Sequence, residues 1–377
     1  MSNAGLEGVV VAQTKLSAIN GETGELIYGG YEIDDLARNT TFEEVTYLLW
    51  NNRLPTESEL NELAGQLAAE APVSTEMHEL LRSFPSGSDA MAALRTAVSF
   101  LGLQDPEADD NSDEANRRKA IRMTARIPTI IAAFDRVRKG LDPVAPRAGL
   151  STAANFLYML TGEEADELRV RTFDAGLVLH AEHGMNASTF SARVTAATQS
   201  DIYSAVVSAI GTLKGPLHGG ANMRVMKMLA EIDESGKDPA EWVHEALQRG
   251  DRVMGFGHRV YKATDPRATV LRELADAIMQ GKGDTRWLDL SDRVREAMRR
   301  EMDERGKKIY PNVDFFSASV YTTLGIEMDL FTPIFAMSRV TGWTAHLLEQ
   351  YANNRLIRPK AEYIGPRGLE VGPRAER

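Results

Sequence analysis

Apolar positions from residue 41 onward recur at helical rather than alternating spacing. Phe42, Val45, Leu48 and Leu49 fall on one face, and Thr41 with Glu44 makes the capping-box pattern that opens such a helix. The same reading predicts a helix over 117–139, interrupted or kinked before Pro128, and helices over 151–160 and 166–179 with good N-caps. It predicts another up to Leu213 behind Asp201, then 266–280, 291–305 ended by Gly306, and about 333–354. Only the first residues read as strands: 14–19 and 25–28 flank a turn at 20–24, which predicts a small hairpin. The acid-rich stretch 104–114, containing Pro106, reads as a solvated loop, because helical patterns of the same character resume on both sides. The predicted fold class is all-α with a small N-terminal β-hairpin.

Length adds a division to this picture. A chain of 377 residues exceeds one ordinary core, so two domains are expected, and a 43% hydrophobic content suffices for both. The formal net charge of −11 argues against broad binding to nucleic acid or anionic membranes, which makes local basic clusters informative. The chain has no cysteine, which excludes disulfides, thiolate catalysis and Cys-ligated zinc. No basic segment followed by an apolar run opens the chain and no uninterrupted apolar stretch could span a bilayer, so a cytoplasmic location is expected.

Reactive and anion-binding groups crowd into 251–267. Gly255 and Gly257 flank Phe256 and lead into His258, a candidate for proton transfer near neutral pH. Arg259, Lys262 and Arg267 follow, with Asp265 as a predicted N-cap and Pro266 at the first helical position. An arginine at a helix N-terminus suits a carboxylate or phosphate; the bland alternative is a surface turn with solvated charges. His218 sits in a proline- and glycine-rich, ligand-accessible corner, 214–222, that taken alone reads more readily as a turn with an incidental histidine. His180 and His183 can share a helix face, but a metal site lacks a second cluster, and hydrogen-bonding or core roles fit them better. Asp314 can cap the helix after it, yet Val313, Phe315 and Phe316 surround it, an environment that raises a carboxyl pKa toward the range of a general base. Arg339 lies in the last long helix, and Arg358 follows it beside Pro359 in what reads as an exposed tail.

Three motifs, Gly-Pro-Leu-His-Gly-Gly-Ala-Asn at 215–222, Gly-Phe-Gly-His-Arg-Val-Tyr-Lys at 255–262 and Pro-Asn-Val-Asp-Phe at 311–315, resemble those of citrate synthases. Segments 14–36, 42–49, 91–98, 180–190 and 354–360 extend the resemblance, in order, over essentially the whole chain. It implies a two-domain helical homodimer of the short archaeal and bacterial type, with a large domain at 1–220 plus 323–377 and a small one at 221–322. The implied reaction condenses acetyl-CoA with oxaloacetate and water to citrate and CoA. Asp314 would be the base, His218 a hydrogen-bond donor to the enol oxygen, and His258 the group that polarises the oxaloacetate ketone. His183, His258, Arg267 and Arg339 would bind oxaloacetate, joined by Arg358 from the neighbouring subunit. CoA would lie along 252–258, with Gly255 and Gly257 against it and Arg259, Lys262, Lys307 and Lys308 as phosphate partners. Lys262 stands where some relatives have arginine, which changes phosphate geometry more than activity. No metal and no cofactor beyond the co-substrate is implied. The rivals are a 2-methylcitrate synthase using propionyl-CoA through the same residues, a non-catalytic helical binding protein, and a metal hydrolase built on His180 and His183.

Overall fold

A three-stranded antiparallel sheet replaces the expected hairpin. β1 (Ser17–Asn20) pairs with β2 (Glu25–Tyr28) in the register Ser17 to Tyr28, and β3 (Tyr31–Glu32) adds to β2 through Ile27 and Glu32. Leu26 and Tyr28 on one face of β2 are buried, which fixes that register. The structure, a computed structural model, describes residues 4–6, 8–85, 87–257, 261–279, 285–371 and 373–374.

Sixteen α-helices follow among the described residues. They are α1 (Ile33–Asn39), α2 (Phe42–Asn51), α3 (Glu57–Glu70), α4 (Thr75–Ser83), α5 (Ala90–Gln104), α6 (Asp113–Arg138), α7 (Thr152–Thr161) and α8 (Glu167–His180). The second half holds α9 (Ala187–Ala196), α10 (Ile202–Leu213), α11 (Ala221–Ser235), α12 (Pro239–Arg249), α13 (Pro266–Met279), α14 (Arg286–Glu304), α15 (Val313–Thr323) and α16 (Phe331–Ala352). Side-chain caps decide many starts: Thr41 and Glu44 form the expected box on α2, Thr56 and Glu59 a second on α3, and Ser151, Asp166 and Asp201 cap α7, α8 and α10.

Three expectations change. α6 runs unbroken through Pro128, which has no N–H to donate to the preceding turn; the helix is packed by α3, α5, α7 and α16, and that burial outweighs one lost hydrogen bond. α14 begins at Arg286, ahead of Ser291, whose hydroxyl donates to the Trp287 carbonyl from inside the helix. The acid-rich loop is built around a buried ammonium rather than solvated throughout: Lys119 Nζ donates to the carbonyls of Glu107, Ala108 and Asp110 at 3.2, 3.0 and 2.6 Å. The end of α13 agrees with expectation as far as Met279; position 280 lies outside the described residues.

α16 is buried on nearly every face and packs against α2, α6, α8, α9 and α10, as a helix that is apolar all round must. Two of its most enclosed side chains are Trp343 and the charged Arg339. α11, α12, α14 and α15 pack mainly on one another, while α13 packs on α15 and at least as much on α1 and α8. None of the helices among the described residues is long and apolar enough to cross a membrane.

Candidate functional site

The sequence motifs converge where α15 begins. Asn312, not Asp314, caps α15: its Oδ1 accepts the Asp314 N–H at 3.1 Å, which leaves the Asp314 carboxyl without a capping duty. The other end of Asn312 holds the glycine loop, donating through Nδ2 to the Gly257 carbonyl and through its backbone N–H to the Gly255 carbonyl, both at 2.9 Å. Gly255 has φ +81°, and a Cβ there would lie 2.8 Å from Phe315 and Val225, so glycine alone fits. Gly257, at φ +79°, donates its N–H to the Tyr310 carbonyl at 2.9 Å.

Asp265 ties in the third segment. Its carboxylate accepts the Arg267 backbone N–H at 3.1 Å, as the predicted N-cap should, and the Val313 N–H at 3.2 Å. It also pairs side-on with the guanidinium of Arg267, at 3.0 and 2.8 Å, in surroundings where both residues are buried. The Asp265 carboxylate therefore holds the Arg267 guanidinium above its already high pKa against the opposing effect of burial.

Burial sets the protonation of the two candidate proton-handling groups. It raises the Asp314 carboxyl to about 6, with Asp265 adding to the rise and Arg267, Arg224 and Arg339 opposing it. His218 is lowered to about 4 by burial and then by Arg339, so it is neutral at neutral pH. Its tautomer follows from its neighbours. The Ser188 backbone N–H, shared with Asn186 Oδ1 at 3.1 Å, also reaches His218 Nε2 at 3.3 Å, so Nε2 accepts and Nδ1 carries the proton; Ser188 Oγ lies 2.8 Å from the same nitrogen. Ser188 is held in turn by Asn186 Oδ1, at 2.7 Å from its Oγ, and by the Trp343 Nε1–H, at 3.1 Å.

Arg339 is the outlier among the charges. It is 1% exposed and its Nε donates to the His180 carbonyl at 2.6 Å, yet among the described residues no carboxylate stands within ion-pair distance of it. Burial lowers it to about 10, still cationic at neutral pH. Its field reaches His218, Asp314 and Glu182, which places all four in one electrostatic neighbourhood. His183 Nε2 lies 3.2 Å from the Tyr261 hydroxyl. His180 does something else: its Nδ1 donates to the Gly176 carbonyl at 2.7 Å, its ring meets Phe335 edge-on, and burial lowers it to about 3.

The remaining candidates are peripheral. Lys262 is exposed, pairs with Glu22 of the β1–β2 turn, and donates its backbone N–H to the Gly21 carbonyl at 2.8 Å. Lys307 and Lys308 are exposed on the rim of a cavity of about 320 Å³ that also takes in Phe256, Arg272 and Tyr310; Lys308 borders a second, of about 410 Å³, with Gly257 and Lys262. A cavity of about 710 Å³ beside Glu43, Pro128 and Asn155 contains none of the site residues. Arg358 is exposed in the irregular segment after α16. His258 and Arg259 lie outside the described residues. Sequence reading missed Ser188, Tyr261, Glu182 and Arg224. Tyr261 stands in the 255–262 motif and Glu182 and Ser188 in the 180–190 segment, but neither motif nor segment assigned them a role; Arg224 has no signal in the sequence.

Known proteins resemble this chain over nearly its whole length. A family model described as citrate synthase, C-terminal domain, matches residues 5–360. The citrate synthase of Haloferax volcanii is 52% identical, with 99% of this chain and 98% of that one covered. A 2-methylcitrate synthase of Mycobacterium tuberculosis is 45% identical over 96% of this chain and 90% of its own length. Among solved structures, the citrate synthase of the thermophilic archaeon Thermoplasma acidophilum, in ternary complex with carboxymethyl coenzyme A and oxaloacetate, superimposes with a TM-score of 0.92 at 33% identity, each chain covered completely.

Proposed function

From the premise that this chain belongs to the citrate synthase family of acyltransferases, we propose that Asp314, His218 and Arg339 form the centre of a site condensing acetyl-CoA with oxaloacetate. The observation that carries this reading is Arg339. A buried guanidinium without a carboxylate partner is costly, and a dicarboxylate substrate relieves that cost where a neutral ligand does not. Arg267 and His183 complete the oxaloacetate pocket, and Arg358 joins it from the neighbouring subunit of a homodimer.

The thioester methyl is too weak a carbon acid for a base alone. Asp314, poised near neutrality, takes the methyl proton while the Nδ1–H of neutral His218 donates to the oxygen that becomes the enol. The enol carbon then attacks the oxaloacetate ketone carbon, and the ketone oxygen takes a proton from His258. Water finally cleaves the thioester, releasing citrate and CoA. The CoA phosphates lie along Arg259, Lys262, Lys307 and Lys308, with Lys262 exchanging its Glu22 partner for phosphate. A large domain at 1–220 and 323–377 and a small one at 221–322 would close over oxaloacetate and exclude water; the mutual packing of α11, α12, α14 and α15 supports this division.

Acyl-CoA preference is where the second reading enters, since 2-methylcitrate synthases stand among the relatives. Thiol release is expected only when oxaloacetate is present, with a higher kcat/KM for acetyl-CoA than for propionyl-CoA. Equal or better turnover of propionyl-CoA would make the chain a 2-methylcitrate synthase, and no release with either would remove both readings.

A further inference from the structure

Glu182 lies between His180, whose carbonyl receives Arg339, and His183, and it is fully buried. Its Oε1 accepts from the Ser17 hydroxyl and from His346 Nε2, both at 3.0 Å, while Oε2 has no hydrogen-bond partner among the described residues. His346 is equally buried, and its other nitrogen, Nδ1, stands 3.1 Å from Arg193 Nη1. A guanidinium can only donate, so His346 Nδ1 accepts and the ring proton sits on Nε2, directed at Glu182. His346 thus supplies a hydrogen bond. Burial pushes the Glu182 carboxyl up, while the hydrogen bonds from His346 and Ser17 and the charge of Arg339 bring it down.

The surrounding backbone is shaped to keep this anion where it is. Arg339, Gly342 and His346 follow one another along a single face of α16. A Cβ on Gly342 would fall 2.3 Å from the Ala181 carbonyl oxygen and 2.4 Å from Glu182 Oε2, so only glycine lets the helix approach this turn. From the other side the Tyr28 hydroxyl donates to the Glu182 carbonyl at 2.5 Å. Glu182 is held in the field of Arg339 but beyond ion-pair distance of it.

We infer that Glu182 is the resident counter-ion of Arg339, a positioning residue that balances the guanidinium charge in the empty site without occupying the edge a substrate carboxylate needs. The inference rests on the reading that Arg339 binds oxaloacetate. Arg267 already has Asp265, so Arg339 is the cation left to balance. A carboxylate in contact would neutralise it and block it. One held at a distance by Ser17 and His346 balances the charge and leaves that edge open, and it also repels the incoming dianion, which moderates affinity.

The test is calorimetric titration of oxaloacetate into the full-length protein, with melting temperature measured in parallel. Glu182→Gln keeps the size and an acceptor for His346 but removes the charge. It is expected to bind oxaloacetate about three- to tenfold more tightly, to melt lower when empty, and to gain more in melting temperature on saturation than the wild type. Glu182→Asp, which retains the charge, is expected to return the affinity to the wild-type value. His346→Phe, which frees the carboxylate to move onto Arg339, should weaken binding at least about threefold, and it keeps the inference testable if the glutamine variant does not fold. A merely structural Glu182 predicts lower melting with unchanged or weaker binding by Glu182→Gln, and that result overturns the inference, as does unchanged affinity in His346→Phe. Arg339→Gln is the separate control. If it binds oxaloacetate like the wild type, the reading of Arg339 fails; if it loses binding while Glu182→Gln does not tighten it, only the counter-ion role fails.

Discussion

Asp314→Asn is expected to lower kcat by about two to four orders of magnitude, the usual worth of a positioned general base, while raising the melting temperature at neutral pH. The amide preserves shape but cannot take the methyl proton. Because Asn312 rather than Asp314 caps α15, the substitution leaves the helix start intact. The stability change follows from the direction of the pKa shift. Burial raises the folded-state value from 3.8 to about 6, so between those values the folded protein holds a proton that the unfolded chain gives up. The stability linked to this group is therefore full below the unfolded pKa and is lost as pH rises through about 6. Asparagine never ionises, so the variant should melt above the wild type at pH 8 and level with it near pH 4. In the wild type, kcat/KM for oxaloacetate should fall below about pH 6, where Asp314 gains its proton. Near-normal kcat in the variant would strip Asp314 of its role. Lost activity with a lowered melting temperature at pH 8 would point to damage instead of a missing base.

A mixture of two inactive variants, Asp314→Ala and Arg358→Ala, is expected to recover roughly a quarter of wild-type activity once subunits exchange. In its own chain Arg358 is exposed beyond the end of α16, and Leu356, Tyr363, Ile364, Leu369 and Val371 are exposed in the same segment. Such a run of apolar side chains suits a second subunit better than water. If each site takes Asp314 from one chain and Arg358 from the other, a hybrid dimer holds one intact site and one lacking both residues. Random exchange makes roughly half the dimers hybrid, which yields the stated recovery. No recovery, with hybrids verified by native mass spectrometry, would return Arg358 to a solvent-exposed role.

What could be read from the chain alone divides along physical lines. Local signals translated well: the capping box at Thr41 and Glu44 and the N-caps at Ser151, Asp166 and Asp201 set helix starts that tertiary packing did not move. Pro128 does not interrupt α6, because the penalty for a proline is local whereas the packing that keeps the helix continuous comes from helices distant in sequence. The sequence leaves Asp314 both a cap and a base; only the fold shows that Asn312, two residues earlier, takes the capping duty through the same kind of oxygen. Family motifs pointed to Arg267 and Arg339, but not to the difference between them. Only the fold pairs Arg267 with Asp265 and leaves Arg339 without a carboxylate in contact among the described residues. Glu182 carried no signal, since an acid between two histidines reads as a surface or metal-binding residue until β1 and α16 enclose it.

Carbon–carbon bond formation is the central claim, and thiol release alone does not separate it from thioester hydrolysis. The direct measurement is carbon-13 NMR of the products from acetyl-CoA labelled in its methyl carbon, incubated with the protein with and without oxaloacetate. The label is expected in a methylene of citrate when oxaloacetate is present, and labelled acetyl-CoA is expected to persist when it is absent. Label recovered as free acetate, at a rate indifferent to oxaloacetate, would contradict carbon–carbon bond formation.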